Sequence, residues 1–331
     1  VSSFWALTHQ QTTILRFKTS LSLHLPKRKT NVKSRKKFEG IIVPHITPFT
    51  EKGELNIEAL RACIRFWVEA GVDGLMPCGS NGEAPYLARE ERQKIIATVL
   101  EEAGGKVAVL AGTGAPSTWE TIQLTQDAAE LGVDAAVVVT PYYFRLSNRE
   151  IMSHYKAVLE AVDIPIILYS VPKFTGYALE PSVIAELSDE YSHVAGVKDS
   201  SGNIAAITET LRLVGGKIAV LAGTADTVLP TLTLGGKGAV IAVANTYPKL
   251  CKNLYKAFKN GDHRKAAELQ KALNHINEVL VKRYNQLSAI KEAMRMLGLP
   301  AGYPRKPALP LDENAKKEVK QLVEWAANLN P

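Results

Sequence analysis

Cysteine is scarce in this chain: Cys63, Cys78 and Cys251 are the only three among 331 residues, and no two of them stand at CxxC spacing. A scattered, odd-numbered set gives no disulfide framework, argues against a structural zinc and fits a reducing compartment, with buried free thiols as the default. Long hydrophobic runs are missing too. None approaches the roughly 18 residues of a membrane-spanning helix, which argues against an integral membrane protein. The seven histidines are dispersed and form no cluster with carboxylates of the kind a catalytic metal requires. Acidic residues are absent from positions 1–38, which hold nine Lys or Arg, so the arm supplies +9 to the formal total of +7 and −2 is left for the remainder. A slightly acidic body carries no electrostatic footprint for nucleic acid. The arm lacks an apolar h-region and is therefore not a secretory signal. A transit peptide, a nuclear-localisation run and an extension outside the fold all fit its composition.

What is present is a set of short apolar runs, in a chain 46% hydrophobic and long enough to bury a large core. From residue 40 onward they read GIIVPHIT (40–47), VDGLMPCG (72–79), KVAVLAGTG (106–114), DAAVVVTP (134–141), IPIILYSVP (164–172), HVAGVKDS (193–200), KIAVLAGTA (217–225) and GAVIAVAN (238–245). Continuous rather than alternating apolarity marks strands covered on both faces, as in parallel sheets. The segments between them, such as 57–71 and 119–132, carry apolar residues at three- and four-residue spacing and end in Gly. Eight strand–helix repeats predict a (β/α)8 (TIM) barrel over 39–246. The region 247–331 reads as an all-helical extension, with helices over 248–260, 262–283, 286–297 and 313–328 and, before the last, a connector, GYPRKPALPLD, that with Pro300 ahead of it carries four prolines. GTGAPS at 112–117 begins like a dinucleotide fingerprint but lacks the third Gly, and no cofactor is expected.

A barrel of this kind carries its active site at the C-terminal ends of the strands. Those ends hold GSNGE (79–83), TPYY (140–143), Tyr169 and Lys198, with Thr47 and Pro48 after the first run. That inventory offers one lysine, tyrosines, hydroxyls and amides, with no metal ligand set; of the histidines only His45 and His193 fall inside predicted runs, on different strands. Lys198 is either ordinary surface or an amine set in a dry pocket. In the second case desolvation favours the neutral amine, which can condense with a 2-oxo acid and use the protonated imine as an electron sink, while a tyrosine within reach shuttles protons.

GSNGE, TPYY, YSVPKFTG and GVKDSSGN, in that order and each at a strand end, resemble the dihydrodipicolinate synthase and N-acetylneuraminate lyase family, and the likeness runs from about Gly40 to the C-terminus, including GYPRKP. The resemblance implies a pyruvate-dependent class I aldolase fold and chemistry. It makes Lys198 the Schiff-base lysine, Tyr169 the general acid/base and Ser80 a proton relay, with the backbone N–H groups of Ser80 and Asn81 holding the substrate carboxylate. Val240 would face the imine with its carbonyl, and Tyr143 would reach into a neighbouring subunit's site within a homotetramer. Two departures concern the acceptor. Where synthases of the family read YNVPSRTG, this chain has Ser170 for Asn and Phe174 for the arginine that binds the aldehyde's carboxylate, and an aromatic ring cannot form that bidentate pair. Lys173 beside it either supplies the missing cation or, as is commoner for such a lysine, faces solvent. The expected function is therefore carbon–carbon lysis of a 2-oxo acid, such as 4-hydroxy-2-oxoglutarate or a 2-keto-3-deoxy sugar acid, with pyruvate and an aldehyde as the small-molecule partners. The lysine-pathway activity, 4-hydroxy-tetrahydrodipicolinate synthase, is the alternative, and a non-catalytic 2-oxo-acid-binding barrel is a further one. The expected location is the cytoplasm, or an organelle if residues 1–38 are a transit peptide.

Overall fold

The computed structural model describes residues 38–329, so the basic arm, apart from Phe38, lies outside the described residues. Phe38 itself is buried with the side chains of the barrel interior. The eight predicted runs are all strands: β1 (Gly40–Val43), β2 (Gly74–Leu75), β3 (Ala108–Gly112), β4 (Ala135–Val139), β5 (Ile166–Ser170), β6 (Val194–Asp199), β7 (Ala219–Ala222) and β8 (Gly238–Val240). They pair in sequence order, all parallel, and β1 with β8 closes the barrel. His45 falls two residues beyond β1 and stacks on Trp67, with ring centroids 5.3 Å apart.

Continuous apolarity is explained by two cores. Ile42, Leu110, Val137, Ile167, Leu221 and Val240 point inward and fill the barrel. Their neighbours in sequence, such as Ile41, Val138, Leu168 and Val220, point outward against the helices. Caps fix where the helices begin: Asn56 accepts from Ala59 N at 3.0 Å, and Ser147 with Glu150 forms a reciprocal capping box.

Strand β6 breaks this alternation once. Ala195 packs toward the interior and Val197 toward the helices, so Lys198 turns inward only because the register slips between them. Val194 pairs with Ile166 and Gly196 with Ile167, leaving Ala195 as an extra residue in a bulge. Beyond it, Lys198 sits directly opposite Tyr169.

The C-terminal region comprises helices Pro248–Lys259, His263–Asn277, Gln286–Met296 and Glu313–Ala327. It shares a continuous apolar core with the helices Ile57–Glu69 and Arg89–Ala103, through Leu273, Ile290 and Val319 among others. The single helix expected over 262–283 is α-helical to Asn277 and then widens into a π turn, Glu278–Arg283. The proline-rich connector returns to the barrel, where Tyr303 bridges to Phe49.

Gly196 is the residue that this bulge cannot replace, since a Cβ there would lie 2.7 Å from the carbonyl oxygen of Ala219 on β7. Gly196→Val is expected to lower stability by about 1–3 kcal/mol through overpacking. A shift of the guanidinium unfolding midpoint to lower denaturant is the readout; an unchanged midpoint would show that β6 accommodates a side chain at this step.

Candidate active site

The C-terminal ends of the strands open on two adjoining cavities, one of about 520 Å³ and one of about 80 Å³. Ser80, Tyr169, Val171, Lys173, Phe174 and Gln286 form the wall common to both. Lys198, Asn81, Ser200 and Val240 line the smaller one alone.

Lys198 is 3% exposed, and its Nζ lies 4.0 Å from the centre of the Tyr169 ring and 3.8 Å from Met76 Sδ. It is therefore not a surface lysine. Tyr169 is 5% exposed. Burial pushes its phenol upward, yet the Lys198 charge together with the Ser200 and Ser80 hydroxyls outweighs burial and holds it below the usual tyrosine range. The backbone N–H groups of Ser80 and Asn81 donate to no protein acceptor among the described residues and remain free for a ligand. Asn81 is buried, and its Oδ1 accepts from Gln286 Nε2 at 2.7 Å.

Phe174 is 47% exposed, at the mouth shared by the cavities. Lys173 is exposed, as expected for such a lysine, and its Nζ also donates to the Val281 carbonyl at 2.9 Å and to Gln286 Oε1 at 3.1 Å. The Val281 carbonyl belongs to the end of the π turn, where helix carbonyls lose their intrahelical partners, so the lysine caps the element that walls the site. Tyr143 lies outside both cavities; it is 87% exposed and meets the edge of Phe144 at 5.0 Å, while Tyr142 lines the larger cavity. Among the described residues the non-glycine positions with positive φ are Cys78, Glu83 and Tyr143, all on the loops after β2 and β4 that frame the site.

Glu83, the last residue of GSNGE, is 1% exposed and holds the loop to the C-terminal region. It pairs with Lys291 Nζ and accepts from Arg305 N at 2.8 Å. Lys291, fully buried, spends its other two N–H groups on the Thr47 and Tyr303 carbonyls, each at 2.7 Å. Burial pushes its pKa down to about 8 against the opposing pull of Glu83. Arg305 forks onto Glu91 at 2.6 and 2.7 Å. Among the described residues no group of three or more His, Cys, Asp or Glu is placed to hold a metal.

A sequence profile of the dihydrodipicolinate synthetase family matches residues 37–326. The chain belongs to that family. It is an enzyme of the pyruvate-dependent class I aldolases and synthases that the family comprises. It is similar to the 4-hydroxy-tetrahydrodipicolinate synthase of Methanothrix thermoacetophila, 39% identical over 85% of this chain and 94% of the relative. The synthase of the same name from Methanopyrus kandleri is 38% identical over 86% of this chain and 96% of its own length. Dihydrodipicolinate synthase from Aquifex aeolicus superposes with a TM-score of 0.84 at 35% identity, covering 88% of this chain and 98% of that one. YagE, a prophage protein of the dihydrodipicolinic acid synthase family from E. coli K12, solved in complex with pyruvate, gives a TM-score of 0.85 at 36% identity, covering 88% and 99%.

Two parts of the site escaped the sequence reading. Ser200 was within reach of it: two residues beyond Lys198, period-two alternation returns it to the same side. Gln286 and Lys291 carried no comparable signal, because their partners Asn81 and Glu83 stand 205 and 208 residues away.

The buried pair at the base of the loop yields a double-mutant cycle. Lys291→Met and Glu83→Gln are each expected to cost about 3–5 kcal/mol by stranding a charge or its donors, and the double variant to cost clearly less than the sum. Chemical denaturation of the four proteins measures this; additive losses would mean that the two side chains do not act as a pair.

Proposed function

We propose that Lys198 forms a Schiff base with pyruvate, and that the enzyme makes or breaks a carbon–carbon bond to the methyl carbon of that pyruvate. The observation that carries this reading is a buried amine beside a buried phenol in a cavity of about 80 Å³, with two free backbone N–H groups in the adjoining loop. In the cleavage direction the amine adds to the carbonyl carbon of the 2-oxo acid and water leaves, giving the protonated imine. The bond between C3 and C4 then breaks, its electron pair moving toward the imine nitrogen, as the C4 hydroxyl gives its proton to Tyr169, directly or through Ser80. An aldehyde departs. Protonation of the resulting enamine at C3 and addition of water release pyruvate and the free lysine. The Ser80 and Asn81 N–H groups hold the carboxylate next to the carbonyl, and Val240 lines the far wall. The lowered phenol pKa of Tyr169 suits a group that must accept a proton and return it.

Two acceptor readings remain. The names of the relatives favour 4-hydroxy-tetrahydrodipicolinate synthase over the aldolase reading that the motifs placed first. The specific observation on the other side is Phe174, which stands at the cavity mouth where such synthases carry an arginine and which favours cleavage of 4-hydroxy-2-oxoglutarate or a 2-keto-3-deoxy sugar acid. We also propose that Tyr143, exposed on a strained loop, completes the site of a neighbouring copy within a homotetramer. No helix of the described residues is long and apolar enough to cross a membrane. A cytoplasmic location is proposed on the free, buried Cys63, Cys78 and Cys251, and an organellar one would rest on residues outside the described part.

Borohydride reduction with pyruvate is expected to add a stable mass to the Lys198 peptide and none to Lys198→Ala. Tyr169→Phe should retain the adduct while turnover falls by about 10²-fold or more. An adduct elsewhere, or a Tyr169→Phe rate near that of the unaltered enzyme, would remove these assignments.

The acceptor is decided by comparing kcat/KM for aspartate semialdehyde condensation with that for 4-hydroxy-2-oxoglutarate cleavage. A charge-assisted pair is worth roughly 1.5 to 3 kcal/mol, so Phe174→Arg should move the ratio toward aspartate semialdehyde by about 10- to 100-fold. If the unaltered enzyme already prefers aspartate semialdehyde, Phe174 is no handicap and the synthase reading stands.

A further inference from the structure

The loop between β4 and the helix Asn148–Ala161 carries Tyr142, which lines the larger cavity, and Tyr143, an exposed residue with φ 87°. A bulky residue in left-handed backbone is strained and keeps that shape only where its surroundings fix it. Both ends of this loop are fixed. Thr140 N donates to the Tyr169 carbonyl at 3.3 Å, and the Ser147–Glu150 capping box starts the helix. Between these anchors, among the described residues, positions 141–146 receive one hydrogen bond from outside the loop: the Tyr177 hydroxyl donates to the Pro141 carbonyl.

Tyr177 is itself firmly held. It is buried, in the apolar layer that contains Val138, Ile151 and Leu168 between the barrel and its helices. The Thr175 hydroxyl donates to its carbonyl at 2.8 Å, and two residues on Leu179 N donates to Ser170 Oγ at 3.1 Å. Ser170 directly follows Tyr169 on β5 and is buried, so the serine that stands where synthases of the family have Asn anchors the segment that carries Tyr177. Burial pushes the Tyr177 phenol above the usual tyrosine range, which keeps its hydroxyl a proton donor. Contacts thus run from β5 through Ser170 and the 177–179 segment to Pro141, two residues before Tyr143.

We propose that Tyr177 is a positioning residue for the loop after β4: its hydroxyl holds the Pro141 carbonyl, and with it the left-handed turn that sets Tyr142 on the cavity wall and turns Tyr143 outward toward a neighbouring copy. The inference rests on the reading that Tyr143 completes that copy's site. Removing the hydroxyl leaves the ring to pack as before and a buried carbonyl unpaired, so the loop loses its fixed point while the barrel keeps its core.

Tyr177→Phe, Tyr143→Phe and the double variant, compared with the unaltered enzyme, test it. The rate at which the methyl protons of pyruvate exchange with solvent deuterium reports the proton relay, since that exchange passes through the enamine and needs no second substrate. At saturating pyruvate Tyr177→Phe is expected to exchange about 5- to 10-fold more slowly, the scale of one hydrogen bond, with the pyruvate concentration for half-maximal borohydride trapping unchanged. The double variant should be no slower than Tyr143→Phe, because Tyr177 acts through that residue. Where Tyr143→Phe is slow, additive losses or an unchanged Tyr177→Phe rate would overturn the inference. Where Tyr143→Phe is as fast as the unaltered enzyme, or no methyl exchange occurs at all, the reading of Tyr143 or of the imine falls, and amide hydrogen exchange read by mass spectrometry decides the positioning role alone. Faster amide exchange in Tyr177→Phe confined to residues 140–147 upholds it, and unaltered protection there overturns it.

Discussion

Side chains on a strand alternate between its two faces, and in β6 strict alternation from Ala195 would carry Lys198 out among the helices. One extra residue between the pairs Val194 with Ile166 and Gly196 with Ile167 reverses the phase, so that Lys198 faces the interior beside Tyr169. The bulge is tolerated because Gly196 has no Cβ to strike the Ala219 carbonyl. The contact with Tyr169, the burial of the amine and the small cavity around it all depend on this change of phase. Bulges are common where a strand must re-aim a side chain at a functional site, and here the re-aimed group is the one amine in the barrel interior on which the proposed chemistry turns.

A second constraint works at the mouth. The loop after β2 carries Ser80 and Asn81 with two non-glycine residues, Cys78 and Glu83, in left-handed backbone conformations. Such a loop keeps its shape only when its surroundings over-determine it. Glu83 does so by accepting from Lys291 and from the backbone of Arg305, while the Thr47 hydroxyl donates to the Gly82 carbonyl at 2.8 Å. The loop is held from the barrel side and from the C-terminal side at once. Because Lys291 has all three donors satisfied by Glu83 and two carbonyls, a buried ion pair that would otherwise be a liability becomes a fixed joint between the regions.

Electrostatics then divides the work among like charges. Lys291 and Lys282 are neutralised by Glu83 and Asp226 and serve the scaffold. Lys198 and Lys173 lack such partners among the described residues; Lys198 lines the small cavity, and Lys173 is an exposed member of the wall that both cavities share. The small cavity around Lys198 is shaped by apolar and aromatic side chains, where a charge interaction counts for more than in water.

Read alone, the sequence determined the eight strands, the closed barrel, the helical extension and the family, because continuous apolar runs between amphipathic segments have few other solutions and the motifs at the strand ends are local. It determined the candidate residues Lys198, Tyr169, Ser80, Asn81, Phe174 and Val240 for the same reason, each lying within a run or the loop directly after it. What it left open was anything fixed by contact between distant segments. The choice between a surface and a buried Lys198 hung on a one-residue slip of register, which no run of apolar letters displays. Lys173 was left between two fates, and only packing of the π turn against the barrel mouth supplied the Val281 carbonyl and Gln286 that hold it. Gln286, Lys291 and Arg305 acquire their roles across more than 200 residues of chain, through hydrogen bonds that exist only once the C-terminal helices have docked. Local periodicity is set by neighbours in sequence, whereas the direction in which a charge points, and what satisfies it, is settled by neighbours in space.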